Sequence, residues 1–101
     1  MMLHTVNKSP FEKDSLKTCL RLSGAGSAIL LIEDGVYGAI REGEFESGLV
    51  ACMTDRKLYV LGPDLKARGI SEDKLIEGAE VVDYQGFVKL AAESSKVQSW
   101  L

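Results

Sequence analysis

Short apolar runs, spaced along the chain, constrain the fold more than any other feature of this sequence. They cover Met2–Val6, residues 27–32 and Leu58–Leu61, with a weaker run at Val81–Val82. The runs are nearly continuous rather than alternating, which is typical of parallel strands buried on both faces. Their starts lie about 25 residues apart, which leaves room for a crossover helix between successive strands. We therefore expect an α/β fold with a mostly parallel sheet of four to five strands and helices on both faces, a flavodoxin-like three-layer arrangement.

The length of the chain limits how many domains it can form. Its 101 residues contain no repeat and no linker, so we expect a single domain over residues 1–101. A domain of this size buries only about 60–65% of the surface that its unfolded chain exposes. Little of the chain is then left to line a deep pocket, and burial against other subunits would relieve that limit.

The first connection carries a distinct helix signal. Ser9-Pro10-Phe11-Glu12 matches a capping box, with Ser9 as N-cap and Pro10 at the first helical position. Leu16, Cys19 and Leu20 then share one apolar face. Gly24-Ala25-Gly26 predicts the end of this helix. Because these glycines precede a strand instead of following one, they do not form a dinucleotide-binding turn.

The remaining connections are also predicted to contain helices. The segments concerned are 36–41, 45–53 and 65–68, a short turn capped by Ser71, and a last helix that begins at Asp83 and Tyr84. The tail from Val97 to Leu101 alternates apolar and polar residues. It therefore fits either a fifth strand or a docking segment.

The charge balance excludes several classes of partner. Lys and Arg total 12 and Asp and Glu total 15, which gives a net charge of −3. A chain with this balance lacks the basic surface of a nucleic-acid binder, so we expect no direct contact with nucleic acid. The longest apolar run, residues 28–32, is far shorter than a membrane span. No secretory signal precedes the first strand, and we expect a cytoplasmic protein.

Two cysteines and one histidine are the candidate reactive side chains. They are too few for a zinc site, and we expect neither a metal nor a cofactor. Cys19 either packs as a small apolar residue or reacts as a thiol. It lies about nine residues into the predicted helix, far from the helix N-terminus that would activate it, so a partner would have to supply the activation. Cys52 and His4 are interpreted as interior residues.

Polar residues follow the predicted strands, where ligands gather in open parallel sheets. These residues are Asn7, Lys8, Asp34, Asp64 and Tyr84. We interpret them as turn and cap residues. The alternative, an independent flavodoxin-like or receiver-like switch that binds a small anion, lacks a hydroxyl-rich loop after the first strand.

The chain ends in two bulky apolar residues, Trp100 and Leu101. Their burial against either the domain itself or a neighbouring subunit would tie down the terminus. Both alternatives stay open, and we predict these two residues as an interface.

Several segments resemble the DsrH/TusB family over essentially the whole chain. They are Leu3–Pro10, Tyr59–Gly69, Val82-Asp83-Tyr84, Gly86-Phe87-Val88, Val97-Gln98 and Trp100-Leu101. The resemblance implies a small α/β subunit of a sulfur-relay complex. Its partners would be DsrE/TusD-like and DsrF/TusC-like subunits in a hexamer, with a small sulfur-carrier protein as donor or acceptor. The principal sulfur-carrying cysteine would belong to the DsrE/TusD-like partner.

The resemblance also bears on the branch of the family. Cys19 lies where DsrH proteins of sulfur oxidisers carry a cysteine, which favours a DsrEFH-type sulfurtransferase complex in dissimilatory sulfur oxidation. In that case Cys19 is a candidate auxiliary acceptor of persulfide sulfur. The alternatives are a TusB-type subunit of the relay for 2-thiolation of tRNA wobble uridine, and a structural subunit without chemistry of its own.

Overall fold

Five parallel strands form one sheet. A computed structural model describes all residues, 1–101, and contains β1 (Met2–Val6), β2 (Ala28–Leu31), β3 (Lys57–Leu61), β4 (Glu80–Val82) and β5 (Lys96–Trp100). The strand order is β4-β3-β2-β1-β5, and every pair is parallel. This confirms the predicted sheet, and it shows that the alternating tail is a fifth strand.

The connections contain four α-helices and two 3₁₀ helices. The α-helices are α1 (Ser15–Leu22), α2 (Glu46–Cys52), α3 (Gly62–Ala67) and α4 (Tyr84–Glu93), and the 3₁₀ helices cover Glu33–Ala39 and Glu72–Lys74. The segment from Val36, predicted as a helix, is thus the end of a 3₁₀ helix. The last helix, α4, begins at Tyr84, in agreement with its predicted start at Asp83 and Tyr84. Asp83 is its N-cap, because its carboxylate accepts a hydrogen bond of 2.7 Å from the Gly86 backbone N–H.

The strand order places the helices unequally on the two faces. From β1 to β4 the chain moves steadily toward one edge, whereas the last connection crosses back to the opposite edge. Right-handed crossovers therefore put α4 alone on one face and the other helices on the opposite face. The core follows this division, with 14 buried residues on the larger side and four, Leu3, Ala28, Leu30 and Tyr59, under α4. No residue of α4 is itself fully buried.

The first helix begins later than predicted. Ser9 does start a turn, because its carbonyl accepts from the Lys13 N–H at 3.0 Å and its hydroxyl from the Phe11 N–H at 3.3 Å. That turn ends at once, and α1 starts at Ser15. Pro10 is buried, and a Cβ on Gly38 would lie 3.5 Å from its ring. Tertiary packing against the 3₁₀ helix thus sets the path of this segment, and the local capping signal does not.

The helices are short. None of them is long and apolar enough to cross a lipid bilayer.

Candidate functional site

Cys19 belongs to the 14-residue core cluster on the face of the sheet opposite α4, which we call the larger core. It is the fifth residue of α1, whereas the prediction placed it about nine residues into the helix, and its side chain is 0% exposed. Burial is the main cause that raises the pKa of the Cys19 thiol to about 12, with a further contribution from Cys52. Arg56 and a hydrogen bond with Ser23 act in the opposite direction but do not compensate. At neutral pH the Cys19 side chain is therefore held in the thiol form.

Cys52 belongs to the same interior. It ends α2, is 2% exposed and is a free thiol like Cys19. Burial raises the pKa of the Cys52 thiol above its ordinary value. The charge of Arg56 opposes that rise, and the charge of Asp55 adds to it. None of the five surface depressions of the protein is lined by either cysteine. The geometry therefore supports the interpretation of both thiols as packed core, and the role of Cys19 as a sulfur acceptor stays a prediction.

Arg56 was not among the predicted site residues. Its Nη1 donates to the Leu20 carbonyl at 2.9 Å, the Ser23 carbonyl at 3.1 Å and the Ser23 hydroxyl at 2.7 Å. These acceptors lie at the C-terminal end of α1, where a cation is favourable. Its Nε also bonds the Asp55 carboxylate at 2.9 Å. The sequence contains no signal for this contact, because Arg56 and Ser23 are 33 positions apart.

His4 is buried as predicted, and it has a specific partner. The Trp100 indole Nε1 donates to His4 Nδ1 at 3.0 Å, and His4 is 3% exposed. Trp100 packs against the larger core, whereas Leu101 is 78% exposed. The Leu101 carbonyl accepts from the Ser15 hydroxyl at 3.1 Å, which ties the terminus to α1. Trp100 is therefore held by its own domain, and the interface role of both residues stays a prediction.

Charged side chains that follow the carboxyl ends of the strands form a small network of hydrogen bonds and ion pairs. The Asp64 carboxylate accepts from the Glu33 backbone N–H at 2.6 Å, and Arg68 Nε donates to Asp34 at 2.9 Å. Asp34 and Asp64 thus hold the loop after β2, as expected of turn and cap residues. Lys8 and Tyr84 are exposed, and Asn7 Oδ1 is buried without a partner in the chain.

This network does not assemble a metal site. No group of three or more His, Cys, Asp or Glu side chains is placed to hold a metal ion. The fold and its side chains together describe a small parallel α/β domain whose two thiols are interior.

Solved structures share this fold. The crystal structure of the ychN protein from E. coli superposes with a TM-score of 0.87, at 20% identity and 97% coverage of both chains. The solution structure of Tm0979 from Thermotoga maritima has a TM-score of 0.64 at 28% identity, with 91% of this chain and 92% of that chain covered.

Sequence comparison identifies the family. Residues 8–97 match the family model described as "DsrH like protein". Proteins named TusB are 38% identical in Pectobacterium parmentieri, 34% in Photorhabdus laumondii and 33% in Escherichia coli O1:K1 / APEC. Each alignment covers 98% of this chain and 100% of the relative. The chain belongs to the DsrH/TusB family, which confirms the resemblance, and the names of these relatives favour the TusB alternative over the sulfur-oxidation reading.

Proposed function

We propose that this chain is a TusB-type subunit of a cytoplasmic persulfide relay that leads to 2-thiolation of tRNA wobble uridine, and that its role is mainly structural. Family membership and the TusB relatives support the pathway. The burial of both thiols is the observation that carries the structural role. Free cysteines are in keeping with a reducing cytoplasm.

The structural role follows from what sulfur transfer requires. A thiolate must attack the outer sulfur of a donor persulfide, which forms a new S–S bond and releases the donor as a thiol. Cys19 is 0% exposed and its pKa is about 12. A donor persulfide therefore cannot reach its sulfur, and the thiol is not ionised near neutral pH. A DsrE/TusD-like partner would then carry the reactive cysteine, and a DsrF/TusC-like subunit would complete the hexamer. A small sulfur-carrier protein would deliver or accept the sulfur.

One observation favours a second candidate function. Cys19 lies in the first helix, where the family resemblance places the cysteine of DsrH proteins. In a DsrEFH-type complex for sulfur oxidation, Cys19 would be an auxiliary sulfur acceptor. That role requires a partner or a conformational change to expose the thiol.

The test is sulfur loading within the assembled complex. The chain is co-purified with its DsrE/TusD-like and DsrF/TusC-like subunits and incubated with a low-molecular-weight persulfide, and each subunit is weighed. We expect a gain of about 32 Da, one sulfur atom, on the DsrE/TusD-like subunit and none on this chain. The Cys19→Ala and Cys52→Ala variants should both support full transfer. A gain on this chain that Cys19→Ala abolishes and Cys52→Ala preserves would contradict the structural role.

The interface prediction has its own test. Leu101 is 78% exposed at the carboxyl end of the sheet, and Leu22, 60% exposed, ends α1 at the opposite end. Leu101→Asp should weaken assembly with the partner subunits, measured by size-exclusion chromatography, whereas Leu22→Asp serves as the matched control. Equal assembly of both variants and the unmodified chain would refute the prediction for Leu101.

A further inference from the structure

The hydrogen bond between Trp100 and His4 fixes the protonation of the imidazole. The indole Nε1–H donates to His4 Nδ1 at 3.0 Å, and the two ring centroids lie 6.1 Å apart. Nδ1 can accept only when it carries no proton, so neutral His4 holds its proton on Nε2. This tautomer is assigned from the hydrogen-bond network.

The charged imidazolium of His4 does not fit this arrangement of hydrogen-bond partners. A proton on Nδ1 would face the indole N–H, which is itself a donor, so protonation removes the one side-chain hydrogen bond of His4. Nε2 has no acceptor in the chain in either protonation state. Burial first, and then the charge of Arg56, lower the pKa of His4. The strand neighbours of His4 are Ile29 on β2 and Gln98 on β5, and neither ionises.

The helices above His4 add no compensating negative charge. The interior residues of α1 are Leu16 and Cys19, and those of α2 are Leu49 and Cys52. Both thiols stay protonated near neutral pH because burial raises their pKa values. Arg56 is therefore the charged group that acts on His4, and it opposes a second positive charge.

Trp100 lies on an edge strand of the sheet. β5 is an edge strand that pairs only with β1, and Lys96 to Ser99 are all exposed. Its other side-chain ties are a 3.3 Å hydrogen bond between Thr5 and Ser99 and the bond from Ser15 to the Leu101 carbonyl. Trp100 itself packs against the cluster that contains Cys19.

We propose that His4 is a pH-sensitive latch for the C-terminal strand. The neutral imidazole holds Trp100 in place, and protonation of His4 breaks that hydrogen bond and releases β5. Release of Trp100 uncovers the side of the 14-residue core cluster against which it packs. This latch is independent of the proposed function, because it rests on contacts within the chain.

The direction of the pH effect follows from the lowered pKa of His4. In the released state the imidazole titrates near its ordinary pKa of about 6.5. Above that pH neither state is protonated, and the latch has its full strength. As the pH falls below about 6.5, only the released state binds a proton, so its population rises by up to about tenfold per pH unit. The population of the released state stops rising once the pH falls below the lowered pKa of His4, because both states are then protonated.

Amide hydrogen exchange of the full chain between pH 7.5 and pH 5 tests the latch. After correction for intrinsic exchange rates, the β5 amides and the Trp100 indole N–H should lose protection as the pH falls through about 6.5. The amides of β2 and β3 should keep theirs. Modification of Cys19 by 4,4′-dithiodipyridine, located by peptide mass spectrometry, should accelerate in parallel. Unchanged β5 protection, or equal loss in β2 and β3, would overturn the proposal.

Three variants separate the latch from a merely structural contact. His4→Asn keeps an acceptor that does not titrate, so β5 protection should become independent of pH. Trp100→Phe keeps an aromatic ring without the donor, and the pKa of His4, followed by NMR, should rise toward 6.5. Ser99→Ala removes another tie of β5 and should leave the pH dependence unchanged. A pH dependence that persists in His4→Asn, or a His4 pKa unaffected by Trp100→Phe, would refute the latch.

Discussion

Replacing Arg56 by Met should destabilise the protein strongly, because one guanidinium nitrogen holds the end of α1. Nη1 reaches three acceptors on Leu20 and Ser23 at 2.7–3.1 Å, and only 15% of the Arg56 side chain is exposed. A hydrogen bond from a charged group contributes about 1.5–3 kcal/mol, and the three acceptors share the two protons of Nη1. We therefore expect a loss of about 3 kcal/mol. The exposed pair with Asp55 adds little to this.

Urea unfolding followed by circular dichroism measures the effect. With an m-value of about 1 kcal/mol/M for a small domain, the midpoint should fall by about 3 M. Arg21→Met is the matched control, because Arg21 lies in the last turn of the same helix but is exposed. It should change stability by less than about 0.5 kcal/mol. A loss below about 1 kcal/mol for Arg56→Met, or equal losses for both variants, would refute the role of Arg56 as the cap of α1.

Three further predictions test the packing of the fold. Gly35→Ala should cost about 3 kcal/mol in thermal unfolding, because its Cβ would clash with the Val6 carbonyl oxygen. Gly24→Ala meets nothing within 4 Å and should cost less than about 1 kcal/mol. Asp83→Ala should cost about 1 kcal/mol through loss of the α4 cap, and Asp83→Asn should retain most of that stability; equal losses would contradict the cap. Iodoacetamide should modify Cys19 only after unfolding in denaturant, as measured by mass spectrometry, and rapid labelling of the native protein at pH 8 would contradict its burial.

The unequal faces of the sheet give the chain an asymmetric surface. One ten-residue helix covers one face, and none of its residues is fully buried. Tyr84 and Val88 on that helix are 60% and 67% exposed. A domain of this size gains stability when such apolar side chains are covered, in keeping with the proposed role as a subunit of a complex.

Much of the architecture could be predicted from short-range patterns. Continuous Val, Ile and Leu runs identified the buried strands, and their spacing identified parallel pairing, because a parallel connection needs a crossover. The Asp83 cap of α4 was also predictable, since capping depends on residues three positions apart. The start of α1 was not predictable, because burial of Pro10 overrode the local capping signal.

The sequence by itself thus determined the strands, their parallel direction and the family. Only the tertiary structure decided that the tail is an edge strand and that Cys19 is fully buried with a pKa of about 12. It also paired Trp100 with His4, 96 positions away, and Arg56 with Ser23. The physical reason is range: periodicity and capping act over a few residues, whereas burial and these pairings depend on the order of strands in the sheet.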